Sequence, residues 1–158
     1  MGRTDSASRT VAAPPQRVYD ALTDPEARVA WLPPDGMTAR IDRYDLRPGG
    51  SYRMVLTYDD VTTVTGKATA DSDVVEARFV ELVPGARVVE AVEFPSDDPA
   101  YAGTMTMTWT IAWTGSGTRV EVRADDVPAG ISAADHRAGL ASSLANLAAY
   151  AEGTSRDV

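Results

Sequence analysis

The segment GTMTMTWTIAWTG, residues 103–115, has a two-residue period from which much of the fold can be worked out. Threonine fills every even position from Thr104 to Thr110, and the odd positions from 105 to 113 are Met, Met, Trp, Ile and Trp. Side chains of a strand alternate between two faces. We therefore predict a strand with a hydroxyl face toward water and an apolar face toward either a packed core or a cavity.

The region before this strand opens with a predicted strand and two short helices. Residues Ser6–Ala12 form the strand, and Gln16–Thr23 has apolar side chains at helical spacing. Asp24 followed by Pro25 is typical of a helix start, so a second helix is predicted from there through Trp31.

Six strands are predicted after the two helices, from alternating side chains and from glycine-rich or proline-rich turns between them. Besides the segment quoted above, they are Met37–Leu46, Ser51–Tyr58, Val74–Leu82, Arg87–Phe94 and Thr118–Ala124. The polar segment Asp59–Asp73 has a weak pattern and is predicted to be a long loop or an irregular edge of the sheet, and to be mobile.

A long helix is predicted from the capping sequence Ser132–Asp135 to Glu152. One of its faces is expected to cover the apolar face of the sheet, with Gly139 allowing a close approach. The residues on that face are Ala133, His136, Leu140, Ser143, Leu144, Leu147 and Ala151. The order of elements indicates an α+β fold: a curved antiparallel sheet of about seven strands wrapped around a long C-terminal helix, forming one domain over residues 1–158.

The composition limits the function. The net charge is −8, which matches neither the phosphates of nucleic acid nor an anionic bilayer. The acidic pairs Asp59-Asp60, Asp97-Asp98 and Asp125-Asp126 are expected in loops. The chain has no cysteine and no long apolar run, so we expect a cytoplasmic protein that does not insert into a membrane.

The chain resembles the START-like (SRPBCC) superfamily. The resemblance is carried by ALTDP at Ala21–Pro25, DLRPGG at Asp45–Gly50 and DHRAGL at Asp135–Leu140, and it extends from Ser6 to Glu152. Within the superfamily the chain is similar to bacterial members named for the C-terminal domain of the activator of Hsp90 ATPase. This resemblance implies a helix-grip fold with a cavity between the curved sheet and the last helix. Many relatives have tryptophan where this chain has Leu140, which alters the wall of that cavity.

Candidate ligand-binding residues are those expected to face this cavity, although each could equally belong to a plain core. They are Trp31, Tyr52, Met54, Leu56, Phe79, Met105, Met107, Trp109, His136, Leu140 and Leu144. Trp31, which ends a short helix just before a proline turn, is expected at the mouth. Methionine is unbranched and polarizable, so a wall rich in methionine can adapt to a ligand.

The candidate catalytic residue is His136, the one histidine of the chain. It could act as a general acid or base, or it could be a wall residue with one hydrogen bond. Tyr52 and Glu90 are the other polar groups expected to point inward. The residue types suggest no metal site and no cofactor, because ligand-like clusters of histidine, cysteine and carboxylate are missing from the sequence.

The leading hypothesis is therefore a module that binds a small apolar molecule, with no nucleic-acid partner and with a homodimer left open. One alternative is an enzyme of the polyketide cyclase or aromatase kind, in which His136 assists proton transfer. Another is a module that interacts with a chaperone, as the family name suggests.

Overall fold

The computed structural model describes residues 3–33, 37–58, 72–94 and 98–153. In chain order the elements are β1 Arg3–Val11, α1 Pro15–Thr23, α2 Pro25–Trp31, β2 Met37–Tyr44, β3 Ser51–Tyr58, β4 Ser72–Val83, β5 Arg87–Glu93, β6 Met105–Trp113, β7 Thr118–Val127 and α3 Ala133–Ala151. A turn of 3₁₀ helix, Pro99–Tyr101, precedes β6.

The seven strands form one curved antiparallel sheet in the order β1-β7-β6-β5-β4-β3-β2. Consecutive strands from β2 to β7 are therefore neighbours, and β1 joins the sheet beside the last strand. The helix α3 lies along β1 and also contacts α1 and α2. The helix α1 contacts β5 and β6, and α2 contacts β2. The predicted α+β helix-grip architecture, with two short helices after the first strand, is confirmed.

The strand β6 has the two faces that its period predicts. Met105, Trp109 and Ile111 are buried, and Thr110 is exposed. The alternation fails at the end of the strand, where Trp113 is 57% exposed. The reason is geometric. The first residue of β5, Arg87, pairs with Thr110, so Trp113 has a pairing partner in β7 but none in β5.

Two segments that were predicted to lie in loops belong to strands. Ser72 and Asp73 belong to β4, where they pair with Thr57 and Leu56 of β3. The acidic pair at 125–126 lies inside β7 rather than in a loop. Residues 59–71 of the predicted loop, with the acidic pair at 59–60, lie outside the described residues.

The helix ends follow the predicted capping chemistry. The Asp24 carboxylate accepts a hydrogen bond of 2.9 Å from the backbone nitrogen of Glu26, at the start of α2. The Ser132 hydroxyl accepts one of 3.0 Å from the backbone nitrogen of Asp135, at the start of α3. Within the described ranges, no helix has both the length and the hydropathy needed to cross a membrane.

The buried residues of α3 follow the predicted helical period, but the role predicted for Gly139 is wrong. Its buried residues are Leu140, Leu144, Leu147, Ala148 and Ala151. A Cβ atom placed on Gly139 would meet nothing within 4 Å, so the predicted close approach at Gly139 is wrong.

Candidate ligand-binding site on the inner face of the sheet

A row of side chains crosses the inner face of four adjacent strands. Cross-strand partners lie on the same face of a sheet. Asp5 of β1 pairs with Ala124 of β7, Ala124 with Met107 of β6, and Met107 with Glu90 of β5. We call these four residues the central row. Its middle is apolar, and each end is a carboxylate that is only 3% exposed.

The carboxylate at the β5 end belongs to a buried cluster of Arg28, Tyr52 and Glu90, which we call the Arg28 cluster. Arg28 donates from Nη2 to Glu90 Oε2 at 3.0 Å and from Nη1 to the Tyr52 hydroxyl at 2.5 Å. The Tyr52 hydroxyl in turn donates to Glu90 Oε1 at 2.7 Å. The third guanidinium nitrogen, Nε, donates to the carbonyl of Leu22 at 2.5 Å. Both Glu90 oxygens and the charge of Arg28 are therefore engaged within the cluster.

The electrostatics of the Arg28 cluster favour a charged guanidinium and a neutral phenol. Burial disfavours the charge on Arg28, but the adjacent Glu90 carboxylate outweighs that penalty and raises the pKa of Arg28. Burial also raises the pKa of Tyr52 well above its ordinary value. The cluster thus contains an internal ion pair and offers no free charge to the space beside it.

An aromatic group extends the Arg28 cluster toward β2 and β4. The ring centroid of Tyr52 lies 5.4 Å from that of Phe79 and 5.6 Å from that of Tyr44. The Tyr44 hydroxyl donates to the carbonyl of Thr23, and burial raises the pKa of Tyr44 to about 12. These contacts fix the orientation of Tyr52 from two sides.

The carboxylate at the β1 end of the central row binds the histidine of α3. His136 Nδ1 lies 2.8 Å from Asp5 Oδ2, and the same oxygen accepts from Arg3 Nη2 at 3.0 Å. Burial alone would raise the pKa of Asp5, but the hydrogen bonds from His136 and Arg3 outweigh it and hold the pKa below its usual range. An ionised carboxylate can only accept hydrogen bonds, so the neutral His136 ring carries its hydrogen on Nδ1 and donates it to Asp5. The other ring nitrogen, Nε2, then has a free lone pair.

Two tryptophans meet inside the core in an edge-to-face arrangement. The ring centroids of Trp31 and Trp109 are 5.6 Å apart, and the ring planes make an angle of 83°. Trp31 Nε1 donates to the carbonyl of Ala21 at 2.8 Å. Trp109 Nε1 is also buried, yet it meets no acceptor among the described residues. Trp31 is completely buried, so its predicted position at a cavity mouth is wrong.

Most of the predicted ligand-binding residues lie in one hydrophobic cluster. Its buried members are Trp31, Tyr52, Met54, Phe79, Met105, Trp109, Leu140 and Leu144, with Leu56 and Met107 partly buried beside them. His136 lies at the Asp5 end of the central row, and its side chain is 14% exposed. The structure thus brings Met107 into the same row as the partner of His136, whereas Trp109 lies in the adjacent row, between Val88 and Val122.

Arg28 and Asp5 were not predicted from the sequence as site residues, although signals for both exist. Arg28 lies beside Ala27 and three residues before Trp31, on the apolar side of a short helix. Asp5 lies just before the segment predicted as the first strand. Glu90 alternates with Val88 and Val92, and this alternation placed it correctly on the inner face. Within the described ranges, no three His, Asp or Glu side chains come together as metal ligands would.

A curved antiparallel sheet, closed by a long C-terminal helix over a mainly apolar inner face, defines a protein of the helix-grip class. The family model for "Activator of Hsp90 ATPase homolog 1-like protein" matches residues 12–152. The chain belongs to this family.

Solved bacterial structures share the fold. Protein CV1439 from Chromobacterium violaceum is 32% identical, with a TM-score of 0.83, over 94% of this chain and 96% of that one. Protein MLL2253 from Mesorhizobium loti is 18% identical, with a TM-score of 0.74, over 96% and 98% of the two chains. DynU16, a putative protein in the dynemicin biosynthetic locus, is 21% identical, with a TM-score of 0.67, over 94% of this chain and 47% of its own. A search of curated proteins returns no match.

Proposed function

We propose that this protein binds a small, largely apolar molecule between the inner face of the sheet and α3. The observation that carries the proposal is the partial accessibility of Met107. Its two neighbours in the central row, Ala124 and Glu90, are 0% and 3% exposed. A side chain in this position within a solidly packed core would be closed off on all sides. The accessible surface of Met107 therefore favours open space above the middle of the sheet.

The surroundings of Met107 favour a neutral ligand. Glu90 is neutralised by Arg28, and Asp5 accepts from Arg3 and His136, so neither carboxylate offers an uncompensated charge. A charged ligand would lose its hydration without gaining a counter-charge. Apolar pockets with a few fixed polar groups are the usual sites for small molecules.

The test uses N-phenylnaphthylamine, a neutral apolar dye, excited outside the tryptophan band. We expect saturable binding to the folded protein and a large loss of affinity in Met107→Trp, because the larger side chain fills the space. The matched control is Thr110→Trp, which adds the same side chain to the exposed face of β6.

Far-ultraviolet circular dichroism must show that both variants fold, and Met107→Phe replaces Met107→Trp if the latter unfolds. The proposal fails if the wild-type protein does not bind the dye. It also fails if the folded Met107 variant binds the dye as tightly as the Thr110 control does.

A second candidate function is acid–base catalysis on a bound carbonyl compound, and the Asp5–His136 hydrogen bond favours it. A carboxylate on Nδ1 fixes the tautomer and leaves Nε2 able to take up a proton. The test is the exchange of the α-protons of acetylnaphthalene in deuterium oxide, followed by NMR. Catalysis predicts faster exchange with the wild-type protein than with His136→Gln, whereas pure binding predicts equal, slow exchange with both.

A further inference from the structure

We infer that the ligand has a neutral oxygen acceptor, such as a ketone or ether oxygen, and that this oxygen binds the indole nitrogen of Trp109. The inference rests on the proposed function and specifies the chemical class of the ligand. Its origin is the one buried side-chain donor in the described part of the chain that has no hydrogen-bond partner, Trp109 Nε1.

A buried donor without an acceptor destabilises a protein, and native structures rarely contain one without a reason. The side chain of Trp109 is only 2% exposed, so bulk water does not supply the acceptor. Trp31, 5.6 Å away, shows the ordinary arrangement, because its indole nitrogen donates to the carbonyl of Ala21. The same residue type in the same core thus occurs once satisfied and once unsatisfied.

The neighbours of Trp109 on the adjacent strands are either apolar or already hydrogen-bonded. Val88 and Val122, the cross-strand partners of Trp109, have apolar side chains and are 0% exposed. Glu90, two residues along β5, directs both carboxylate oxygens to Arg28 and Tyr52. These groups therefore leave Trp109 Nε1 without an acceptor, and a molecule that enters the site can supply one.

The position of Trp109 relates this donor to the proposed binding space. Trp109 lies two residues after Met107, on the same face of β6, so a molecule above Met107 lies beside the indole ring. The ion pair in the Arg28 cluster closes one end of the central row and the Asp5–His136 pair the other. A neutral apolar molecule with one acceptor oxygen complements this set of groups, whereas a plain hydrocarbon leaves Trp109 Nε1 unsatisfied.

The test compares fluorenone with fluorene, two rigid molecules of nearly the same shape that differ in a carbonyl group. Each displaces N-phenylnaphthylamine from the wild-type protein, Trp109→Phe and Trp113→Phe. We expect the wild-type protein to prefer fluorenone by about fivefold, the effect of one neutral hydrogen bond. Trp109→Phe should lose this preference, and Trp113→Phe should keep it, because Trp113 is 57% exposed and lies outside the proposed site.

Proton NMR of the indole resonances provides a test that needs no variant. The chain has three tryptophans, so three indole NH signals are expected. Fluorenone should shift the Trp109 signal downfield, and fluorene should not.

The outcomes separate the two proposals. Equal affinity of the wild-type protein for fluorenone and fluorene, or a preference that survives in folded Trp109→Phe, overturns this inference and leaves the proposed function standing. An unmoved Trp109 signal with bound fluorenone has the same meaning. If neither compound nor the dye binds, the proposed function itself fails.

Discussion

His136 Nδ1 lies 2.8 Å from Asp5 Oδ2, across a sequence separation of 131 residues. This hydrogen bond joins the first turns of α3 to β1 at the end of the central row. Arg3 donates to the same carboxylate and also to the carbonyl of Ile131, just before the helix, at 2.5 Å. The start of α3 is therefore held to the sheet through one buried acid.

We expect Asp5→Asn to destabilise the protein in a pH-dependent way. The pKa of Asp5 is lowered in the folded state, despite burial, by hydrogen bonds from His136 and Arg3. Its stabilising contribution is therefore present above the unfolded pKa of about 3.9 and is lost as the pH falls through the lower, folded pKa. The free energies of unfolding of wild-type protein and variant, measured in urea, should differ most near neutral pH and converge in acid.

The matched control for Asp5 is Asp45→Asn. Asp45 lies in an exposed pair with Arg47, in which the two side chains are 47% and 67% exposed. This change should alter stability at neutral pH by no more than about 0.5 kcal/mol. A difference between Asp5→Asn and wild-type protein that stays constant across the acid range would contradict the assigned role of the carboxylate.

Arg28→Met should cost about 3–5 kcal/mol of stability, because it leaves the buried Glu90 carboxylate without its counter-charge. The double variant Arg28→Met/Glu90→Leu should cost less than the sum of the single changes by at least about 1 kcal/mol, since the two residues are coupled. Arg123→Met is the control, because Arg123 pairs with Asp125 at the surface and is 58% exposed. Urea unfolding of the wild-type protein, Arg28→Met, Glu90→Leu and the double variant gives the coupling energy, and additive effects would show that the pair is not a unit.

Leu144→Asp should prevent folding, whereas Thr110→Asp should be tolerated. Leu144 is 1% exposed, and an unpaired buried carboxylate costs several kcal/mol, comparable to about the whole stability of a domain. Thr110 is exposed on the outer face of β6, so a new carboxylate at this position stays in water. Circular dichroism and thermal unfolding distinguish the two variants. Cooperative unfolding of Leu144→Asp near the wild-type temperature would contradict the packing of α3.

Two glycine-to-alanine changes should alter the stability of the protein in opposite directions. Gly139→Ala should stabilise by roughly 0.5–1 kcal/mol, because the new methyl group meets nothing within 4 Å and alanine favours the helix. Gly50→Ala should destabilise by about 1–3 kcal/mol, because its Cβ would lie 2.1 Å from the carbonyl oxygen of Asp45. Thermal unfolding measures both, and an unchanged midpoint for Gly50→Ala would show that the turn adjusts easily.

The elements of this fold could be predicted from the sequence because their signals are local. The period of Met105–Trp113 and the proline after Asp24 each act within a few residues, and the structure confirms them. The exposure of Trp113 could not be predicted in this way. It depends on how far the neighbouring strand β5 extends along β6, and the residue pattern of β6 carries no information about that.

The polar part of the candidate site was harder to predict because its partners are distant in sequence. Arg28 and Glu90 are separated by 62 residues, and each pattern indicates an inward side chain without identifying its partner. The signal available for a buried ion pair was a basic residue on the apolar face of α2 and an acidic residue on the apolar face of β5. The sequence identified His136, but its bond to Asp5 depends on β1 lying beside β7 at the edge of the sheet under α3.

The position of β1 has a consequence for how the protein is made. Its partner in the sheet is β7, and the helix that covers it is α3, so both neighbours of β1 are synthesised only after β2 to β6. While the ribosome is still producing β6, β1 has neither a strand to pair with nor a helix to bury its inner face. The hairpins from β2 to β6 can form during translation, because each pairs consecutive strands. Closure of the grip must follow release of α3 from the exit tunnel, and contacts of such long sequence separation form slowly.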